Sequence, residues 1–528
     1  MTVQEKESVL LSKVPFDKTH SFSKAFLDYI SGQEALTPFY NSLPSLDNFR
    51  KQLQNRNFSS STRTLLAESL EQQYQGIELS AASENNLALL REEKTFTITT
   101  GHQLNIFTGP LYFIYKIVTV IRACEELKAQ YPDYNFVPVY WMASEDHDFE
   151  EISYFRFNGK KFTWNTEQTG AVGRFNPKEL DFVFKEILNL PNFFKTAYLK
   201  QKTLADAVRY YVNVLFGDKG LLVIDADDAA LKSVLKPVMR EDIFQAKPHE
   251  LVTSRSAELE EAGYHPQVHP REINFFYLKE NIRARLVQEN GQFQVLDHDI
   301  TFSPEALEQE IEAHPERFSP NVILRPLYQE LILPNLAYVG GPSELVYWLQ
   351  LKGVFDHFDT TFPLLMPRSF AGVLTPNLLI KIEKVGLDWE ELFVPEEKLI
   401  KQKVVEYSSN ELALNAELEK LNTIFSQVME QATNIDRSLE RLVAAERKRA
   451  ENSIHKIEKK LLKAEKGNQE VLVDRIYAIK EALFPGGSPQ ERKDNFLNFY
   501  LTDPGFINSC YEAFDPFDYR FHLLTAHE

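Results

Sequence analysis

The chain has 528 residues, of which 43% are hydrophobic and 25% charged, a composition typical of a globular protein with more than one domain. Its 58 lysines and arginines stand against 76 aspartates and glutamates, and the net charge of −18 argues against nonspecific binding to nucleic acids or anionic membranes. The two cysteines, Cys124 and Cys510, are too few for a disulfide framework or a cysteine-rich zinc site. Residues 1–16 lack the apolar core of a signal peptide, and no apolar run reaches the roughly 18 residues of a membrane span. We therefore expect a cytoplasmic protein.

The N-terminal residues 1–94 are predicted to form a mostly helical segment that packs on the core. Stretches 23–31 and 62–74 have helical spacing and are separated by loops rich in proline and serine. The core itself is predicted to span residues 95–390.

The stretch Phe96–Lys116 carries the first candidate site. Residues Phe96–Thr100 alternate apolar and hydroxyl side chains and predict a strand. Pro110 suits the first position of a helix, with Thr108 or Gly109 near the cap. Such a junction points free N–H groups and the positive end of the helix dipole out of the loop, which predicts an anion site. The candidate ligand-binding residues are Gly101, Gln103, Asn105, Thr108 and Gly109, and His102 is a candidate catalytic residue.

A second strand with a polar end follows. The apolar run Phe136–Met142 predicts a strand and leads into residues 143–148, Ala-Ser-Glu-Asp-His-Asp. Two such strands joined by an amphipathic helix make a βαβ unit with parallel strands, and ligands bind beyond the carboxyl ends of those strands. We therefore place the active site where the turns after Thr100 and Met142 meet. The candidate catalytic residues of the second turn are Asp146, His147 and Asp148.

These residues also have structural interpretations. His102 and Gln103 could satisfy carbonyls of the turn, and residues 145–148 could form a solvated loop. Asp146-His147-Asp148 resembles part of a metal site, but no second ligand cluster accompanies it, so no metal ligand is assigned.

Residues 158–305 are predicted to be inserted between two halves of the parallel sheet. Asn158-Gly159 and Asn290-Gly291 are strong hairpin signals within this region. The sheet is predicted to resume near Phe318–Arg325.

A second strand–glycine–helix junction is predicted after Leu336–Val339. The turn Gly340–Glu344 could hold a second anion or be a plain tight turn. Arg368 follows the last apolar run and could contact a phosphate or carboxylate bidentately. The candidate ligand-binding residues of this half are Gly340, Gly341, Ser343, Arg325 and Arg368.

Residues 396–487 are predicted to form a helical coiled-coil arm. Apolar residues alternate in steps of four and three from Leu414 to Leu442, which is a heptad pattern over four heptads. Thr433–Asp436 could interrupt the helix, with Asp436 as a cap. Such a seam must be buried against another helix, so we expect a homodimer. Residues 488–528 are predicted to pack back on the core.

Several long motifs of the chain resemble one family. The chain contains TGHQLNIFTGPLYFIYK, VPVYWMASEDHDFEEI, GYHPQVHPREINFFYL and HPERFSPNVILRPLYQELILPNLAYVGGPSELVYW, and its coiled-coil end contains LLKAEKGNQ and IKEALFPGGSPQER. Over residues 85–528 the sequence resembles the BshC family, the cysteine-adding enzymes of bacillithiol biosynthesis.

The resemblance implies an α/β fold: a Rossmann-like parallel-sheet core with connecting-peptide insertions, related to class I aminoacyl-tRNA synthetases, plus a coiled-coil domain used for homodimerisation. It also implies a ligase that joins the carboxyl group of L-cysteine to the amine of glucosaminyl-malate. In the wider superfamily ATP first adenylates the carboxylate, so ATP or another adenine nucleotide is the expected cofactor. The His-x-Gly-His pattern of that superfamily is missing here, because the turn Asn105–Pro110 contains no histidine and His102 precedes it. No lysine-rich phosphate loop follows the last strand either.

These expectations combine into one mechanism. The loop Gly101–Gly109 would hold phosphates or malyl carboxylates, with His102 and Gln103 as hydrogen-bond donors, and Arg325 or Arg368 would contact carboxylates. Asp146, His147 or Asp148 would orient the amine and take its proton, with His147 best matched to neutral pH. Two alternatives remain open: a metal-dependent hydrolase built on Asp146-His147-Asp148, and a noncatalytic coiled-coil scaffold.

Overall fold

The computed structural model describes residues 9–525, which form two compact units. Within that range the first unit comprises residues 9–17, 21–373 and 490–525, and the second comprises residues 18–20 and 374–489. Residues 1–8 and 526–528, which belong to the predicted N-terminal and C-terminal segments, lie outside the described chain.

The strands of the described chain are β1 (Leu10–Pro15), β2 (Thr95–His102), β3 (Asn135–Met142), β4 (Tyr154–Phe157), β5 (Lys160–Thr163), β6 (Leu222–Asp225), β7 (Phe275–Lys279), β8 (Ile282–Glu289), β9 (Gln292–Val295), β10 (Thr301–Phe302), β11 (Phe318–Pro320), β12 (Asn335–Gly340), β13 (Leu364–Pro367), β14 (Phe370–Leu374) and β15 (Arg520–Thr525).

The α-helices of the first half are α1 (Lys24–Ile30), α2 (Leu46–Asn55), α3 (Ser60–Gln73), α4 (Ala81–Leu89), α5 (Tyr112–Gln130), α6 (Phe149–Ile152), α7 (Asp181–Glu186), α8 (Asn192–Lys200), α9 (Leu204–Phe216), α10 (Ala229–Lys232), α11 (Lys236–Gln245) and α12 (Lys247–Glu261). Those of the second half are α13 (Pro304–Ala313), α14 (Arg325–Ile332), α15 (Pro342–Trp348), α16 (Lys352–His357), α17 (Pro376–Val385), α18 (Glu396–Tyr407), α19 (Asn415–Ile435), α20 (Glu440–Asn468), α21 (Glu470–Leu483), α22 (Leu497–Tyr500) and α23 (Phe506–Ala513).

A five-stranded parallel sheet forms the centre of the first unit, with the strand order β13-β12-β2-β3-β6. Strands β2 and β3 are in register to their ends, so that His102 lies opposite Met142, and Met142 in turn lies opposite Asp225 of β6. The chain runs outward from β2 through β3 to β6 and then returns to β12 on the other side of β2. The strand order therefore reverses between β2 and β12, and open α/β sheets bind ligands at such a crevice.

Helix α5 is the crossover between β2 and β3, and its apolar spacing matches its burial. Its C-terminal half buries Val120, Ala123 and Leu127 in a core cluster with Ile98 of β2 and Val339 of β12. The predicted βαβ unit is confirmed, and with the helical second unit it confirms the predicted fold class. Because burial fixes α5 against the sheet, the strand ends and the helix N-terminus keep fixed positions.

The middle region contains an antiparallel sheet with the order β10-β9-β8-β7-β11. The hairpins predicted at Asn158-Gly159 and Asn290-Gly291 are confirmed, and all four turn residues have positive φ. The prediction that the parallel sheet resumes at Phe318–Arg325 is wrong. Strand β11 pairs antiparallel with β7, and Arg325 begins α14. A short apolar run suits either kind of sheet, and only the distant partner strand decides between them.

The second unit is helical, and α19 and α20 pack against each other as the predicted coiled-coil arm. The predicted interruption is confirmed: α19 ends at Ile435, and the Asp436 side chain accepts a hydrogen bond from the N–H of Ser438. The seam is only partly covered within the described chain, since Val428, Ile435 and Leu442 are 41%, 82% and 57% exposed. An exposed apolar seam of this kind is compatible with a partner helix.

Candidate active site

A cavity of about 510 Å³ opens at the carboxyl edge of the parallel sheet. The turns after β2, β3 and β12 form its wall, together with side chains from β8 and α14 and with Arg492. The cavity therefore lies at the reversal between β2 and β12, where the fold predicts a ligand. Both turns that the sequence singled out, those after Thr100 and Met142, border this one cavity.

The structure brings eight of the predicted site residues together and leaves six outside. The residues that line the cavity are Gly101, His102, Gln103, Asp146, Arg325, Gly341, Ser343 and Arg368. Those that the described cavity wall does not include are Asn105, Thr108, Gly109, Gly340, His147 and Asp148.

The turn at residues 105–109 faces the protein interior, which corrects its prediction as an anion site. Asn495 donates hydrogen bonds of 2.7 and 2.6 Å from Nδ2 to the carbonyls of Phe107 and Gly109. Helix α5 begins at Tyr112 instead of Pro110, and the Leu111 N–H donates to the carbonyl of Asp494. The free N–H groups expected here are thus used by a segment nearly 390 residues later in the chain.

We expect the substitution Gly109→Ala to destabilise the protein by about 1 to 3 kcal/mol, because Gly109 has a positive φ of 63° and an added Cβ would lie 2.4 Å from Asn105 Cβ. Urea unfolding followed by circular dichroism measures this loss. Gly467→Ala is the matched control, since Gly467 is helical and has no heavy atom within 4 Å of an added Cβ. Equal stability of the two variants would contradict the proposed constraint on the turn.

The second predicted anion site, at Gly340–Ser343, is filled by the chain's own carboxylate. Glu344 Oε2 accepts hydrogen bonds from the Gly341 N–H at 2.7 Å and pairs with Lys116 Nζ at 2.6 Å. Its Oε1 accepts a hydrogen bond of 2.7 Å from the Tyr338 hydroxyl. Burial alone would raise the pKa of Glu344, but Lys116 and these hydrogen bonds lower the pKa to about 2. The carboxylate is therefore ionised and caps α15, which has no free N–H at Gly341 for a ligand.

Lys116 is a buried cation that the sequence analysis did not select. Its side chain is 3% exposed, and Nζ also donates 2.9 Å to the carbonyl of Gly101. Burial lowers the pKa of Lys116, and Glu344 partly offsets that effect. The signal in the sequence was a single lysine within the otherwise apolar first half of α5.

His102 and Arg325 present buried polar atoms without partners in the described chain. Burial and the nearby Lys116 lower the pKa of His102 to about 3, so the ring is neutral. Its Nε2 has no hydrogen-bond partner among residues 9–525. Arg325 donates from Nη1 to Gln329 at 3.2 Å, whereas its buried Nη2 has no partner in that range. The guanidinium lies 5.6 Å from the ring of Tyr338 and can donate to an anion in the cavity.

Asp146 is ionised and tightly held. Gln103 Nε2 donates to its Oδ2 at 2.6 Å, while its Oδ1 accepts from the His147 N–H at 2.7 Å and from Arg283 Nη1 at 3.3 Å. Burial raises the pKa of Asp146, but the hydrogen bonds and Arg283 outweigh it and hold the pKa far below its usual value. A carboxylate of this kind is a poor proton acceptor, which argues against the expected catalytic role of Asp146 as a base.

His147 and Asp148 are exposed and lie beside the cavity. The ring of His147 contacts Arg283 Nη1 at 2.6 Å from Nδ1 and lies 5.4 Å from the ring of Phe276. No group of three His, Cys, Asp or Glu side chains in the described chain could hold a metal ion. The turn at 146–148 is thus organised around Arg283, a residue from β8 that sequence reasoning missed because 135 residues separate it from Asp148.

Glu145 is the cavity carboxyl best suited to exchange a proton at neutral pH. Burial raises the pKa of Glu145 to about 7, although the buried Lys232 pairs with it. Asp227 also contacts Lys232, at 3.4 Å, and adds to the upward shift. The sequence indicated the acidic cluster but not which of its members the fold would bury.

Arg368 lines the cavity with both arms of its guanidinium engaged. Nη1 and Nη2 donate to the two carboxylate oxygens of Glu491 at 3.0 and 2.5 Å, and both side chains are 2% exposed. The expected bidentate contact therefore exists, but its partner is a residue of the C-terminal segment.

Comparison with known proteins assigns the chain to a family. Residues 10–369 match the family model described as "Bacillithiol biosynthesis BshC, N-terminal Rossmann-like domain", and residues 371–526 match "Bacillithiol biosynthesis BshC, C-terminal coiled-coil domain". The chain belongs to the BshC family. Similar relatives, each named "Putative cysteine ligase BshC", occur in Flavobacterium psychrophilum, Flavobacterium johnsoniae and Cytophaga hutchinsonii. Their identities are 42%, 41% and 40%, and the alignments cover 97% of this chain and 98%, 99% and 98% of the relatives.

Membership of the BshC family favours the ligase interpretation over the hydrolase and scaffold alternatives. The described helices include none that is long and apolar enough to cross a membrane.

Proposed function

We propose that the protein is a ligase that joins the carboxyl group of L-cysteine to the amine of glucosaminyl-malate and so forms bacillithiol. The family and the printed names of the relatives support this reaction class. The observation that carries the proposal is the cavity at the strand reversal, whose wall combines a partnerless arginine nitrogen with ionised carboxylates. Such a wall suits substrates that bear both carboxylates and amines.

Arg325 is proposed to bind a carboxylate or phosphate group of a substrate. Among the cavity arginines, Arg283 and Arg368 already pair with Asp146 and Glu491. Arg325 and Arg492 form no ion pair with a carboxylate in the described chain, which leaves them available for anions. A guanidinium in a partly buried site binds a carboxylate more strongly than in water, because fewer water molecules compete.

Glu145 is proposed to take the proton from the attacking ammonium group. Its pKa of about 7 lies near the operating pH, whereas the pKa values of Asp146 and Glu344 are lowered well below it. Lys232 would stabilise the ionised form of Glu145 between turnovers.

An adenine nucleotide is proposed as the source of energy. When bound, it would supply activation of the cysteine carboxylate, and Arg325 and Arg492 are the residues of this chain that would contact its phosphates. These two cations fit an anionic ligand, since no carboxylate of the described chain pairs with either of them. We also propose a cytoplasmic homodimer that forms through α19 and α20, whose exposed apolar seam supports it; sedimentation equilibrium tests the dimer.

The reaction is tested by incubating the protein with L-cysteine, glucosaminyl-malate and ATP or another nucleotide, with mass detection of the amide. We expect the amide only when both substrates and one nucleotide are present, and no loss of product in the presence of a chelator that leaves Mg²⁺ in excess. Absence of the amide with every nucleotide would contradict the proposed ligase.

A further inference from the structure

Gln103 presents its side-chain oxygen, rather than its amino group, to the cavity. The nitrogen Nε2 lies 2.6 Å from Asp146 Oδ2. An ionised carboxylate can only accept hydrogen bonds, so the atom facing it must be the amide nitrogen. The other amide atom, Oε1, is buried and has no donor within residues 9–525, although Gln103 lines the cavity. The side chain is therefore an acceptor that awaits a donor, in contrast to the donor role expected from the sequence.

Asp146 prevents the amide from turning over. The Asp146 Oδ1 atom is itself held by the His147 N–H at 2.7 Å and by Arg283 Nη1 at 3.3 Å. Rotation of the Gln103 amide by 180° would bring its oxygen against Oδ2 and replace a charge-assisted hydrogen bond with repulsion. The carboxylate thus fixes which pole of the amide faces the ligand.

We propose that Gln103 Oε1 accepts a hydrogen bond from a primary ammonium group of a substrate, with Asp146 as the positioning residue. The inference rests on the proposed function, whose two substrates each carry one primary amine and whose carboxylates and phosphates are acceptors that Oε1 cannot bind. The ionised Asp146 and Glu344 on the same wall also favour a positive group over an anion at this end of the cavity. The amine belongs either to the amino acid or to the amino sugar, and the experiment separates these two sources.

Two pairs of ligands isolate the amine. L-cysteine is compared with 3-mercaptopropionate, which keeps the thiol and carboxylate but lacks the amine. Glucosaminyl-malate is compared with its N-acetyl derivative. Titration calorimetry gives a dissociation constant for each ligand, and the ratio within a pair measures recognition of the amine alone.

We expect the wild-type protein to prefer the amine-bearing member of one pair, and Gln103→Met to reduce that preference about ten-fold to hundred-fold, as for loss of a hydrogen bond to a charged group. Asp146→Asn should reduce the same preference, since an asparagine amide lets Gln103 turn over. The double variant should lose no more than Gln103→Met alone, because both changes remove one interaction. The pair that responds identifies the source of the amine.

Gln469 provides a matched control. Its Nε2 donates to Glu465 Oε1 at 3.0 Å and its Oε1 is also buried without a partner in the described chain, but it is not part of the cavity wall. Gln469→Met should therefore leave both ratios unchanged.

Equal weakening of both members of a pair by Gln103→Met, or no preference for either amine in the wild-type protein, would overturn the inference. Circular dichroism checks that each variant is folded, and Asp146→Asn alone carries the test if Gln103→Met does not fold. Binding requires no turnover. A protein that forms no amide but shows a Gln103-dependent preference would contradict the proposed function and leave this inference standing.

Discussion

Replacing Arg325 by methionine is expected to lower kcat/KM for amide formation by about 100-fold to 1,000-fold, the usual cost of losing a charged donor at a reacting or anchoring group. Methionine keeps the aliphatic part of the side chain that lies between Trp141 and Tyr338. The fold is therefore expected to survive while the unpartnered Nη2 donor is lost. Steady-state kinetics with each substrate varied in turn will show whether the loss appears in the KM for glucosaminyl-malate or for the nucleotide.

Arg325→Lys refines this prediction. Lysine keeps the positive charge but not the planar fork, so a bidentate contact to a carboxylate predicts that Arg325→Lys recovers only part of the activity. Arg240→Met is the control, because Arg240 pairs with Glu308 and Glu312 away from the cavity wall. Full activity of Arg325→Met would exclude Arg325 from ligand binding.

Breaking the buried pair of Arg368 and Glu491 is expected to have the largest effect on stability. Each side chain is 2% exposed, and removal of one partner leaves an uncompensated buried charge. Arg368→Met and Glu491→Gln should each lower the free energy of unfolding by about 3 to 5 kcal/mol. Urea unfolding of the first unit, followed by tryptophan fluorescence, measures the loss.

The double variant Arg368→Met, Glu491→Met separates the ion pair from general disruption. If the pair is the cause, the two changes together should cost much less than the sum of the two single changes, since no charge is left alone. Strictly additive losses would show instead that each side chain acts through other contacts.

Local patterns were sufficient to predict the strands that carry the cavity. Strands β2 and β3 are apolar runs that end in polar turns, and the helix between them has a clear 3.6-residue spacing. Parallel pairing then places both turns at one edge of the sheet. The sequence therefore predicted the position of the cavity without any knowledge of long-range contacts.

The contents of the cavity wall could not be predicted in the same way. Glu344 occupies the expected anion site because Lys116, 228 residues earlier in the chain, reaches it, and Arg283 organises Asp146 from an inserted sheet. The turn at residues 105–109 looked like an anion loop, yet Asn495 uses its carbonyls. Such contacts depend on tertiary structure, and no local spacing of residue types encodes them.

A crystal structure of the protein with glucosaminyl-malate tests the central claim most directly. We predict that the ligand lies in the cavity between β2 and β12, with a carboxylate oxygen about 2.7 to 3.2 Å from Arg325 Nη2. Ligand bound at another surface, with only water beside Arg325, would contradict the assignment of this cavity as the active site.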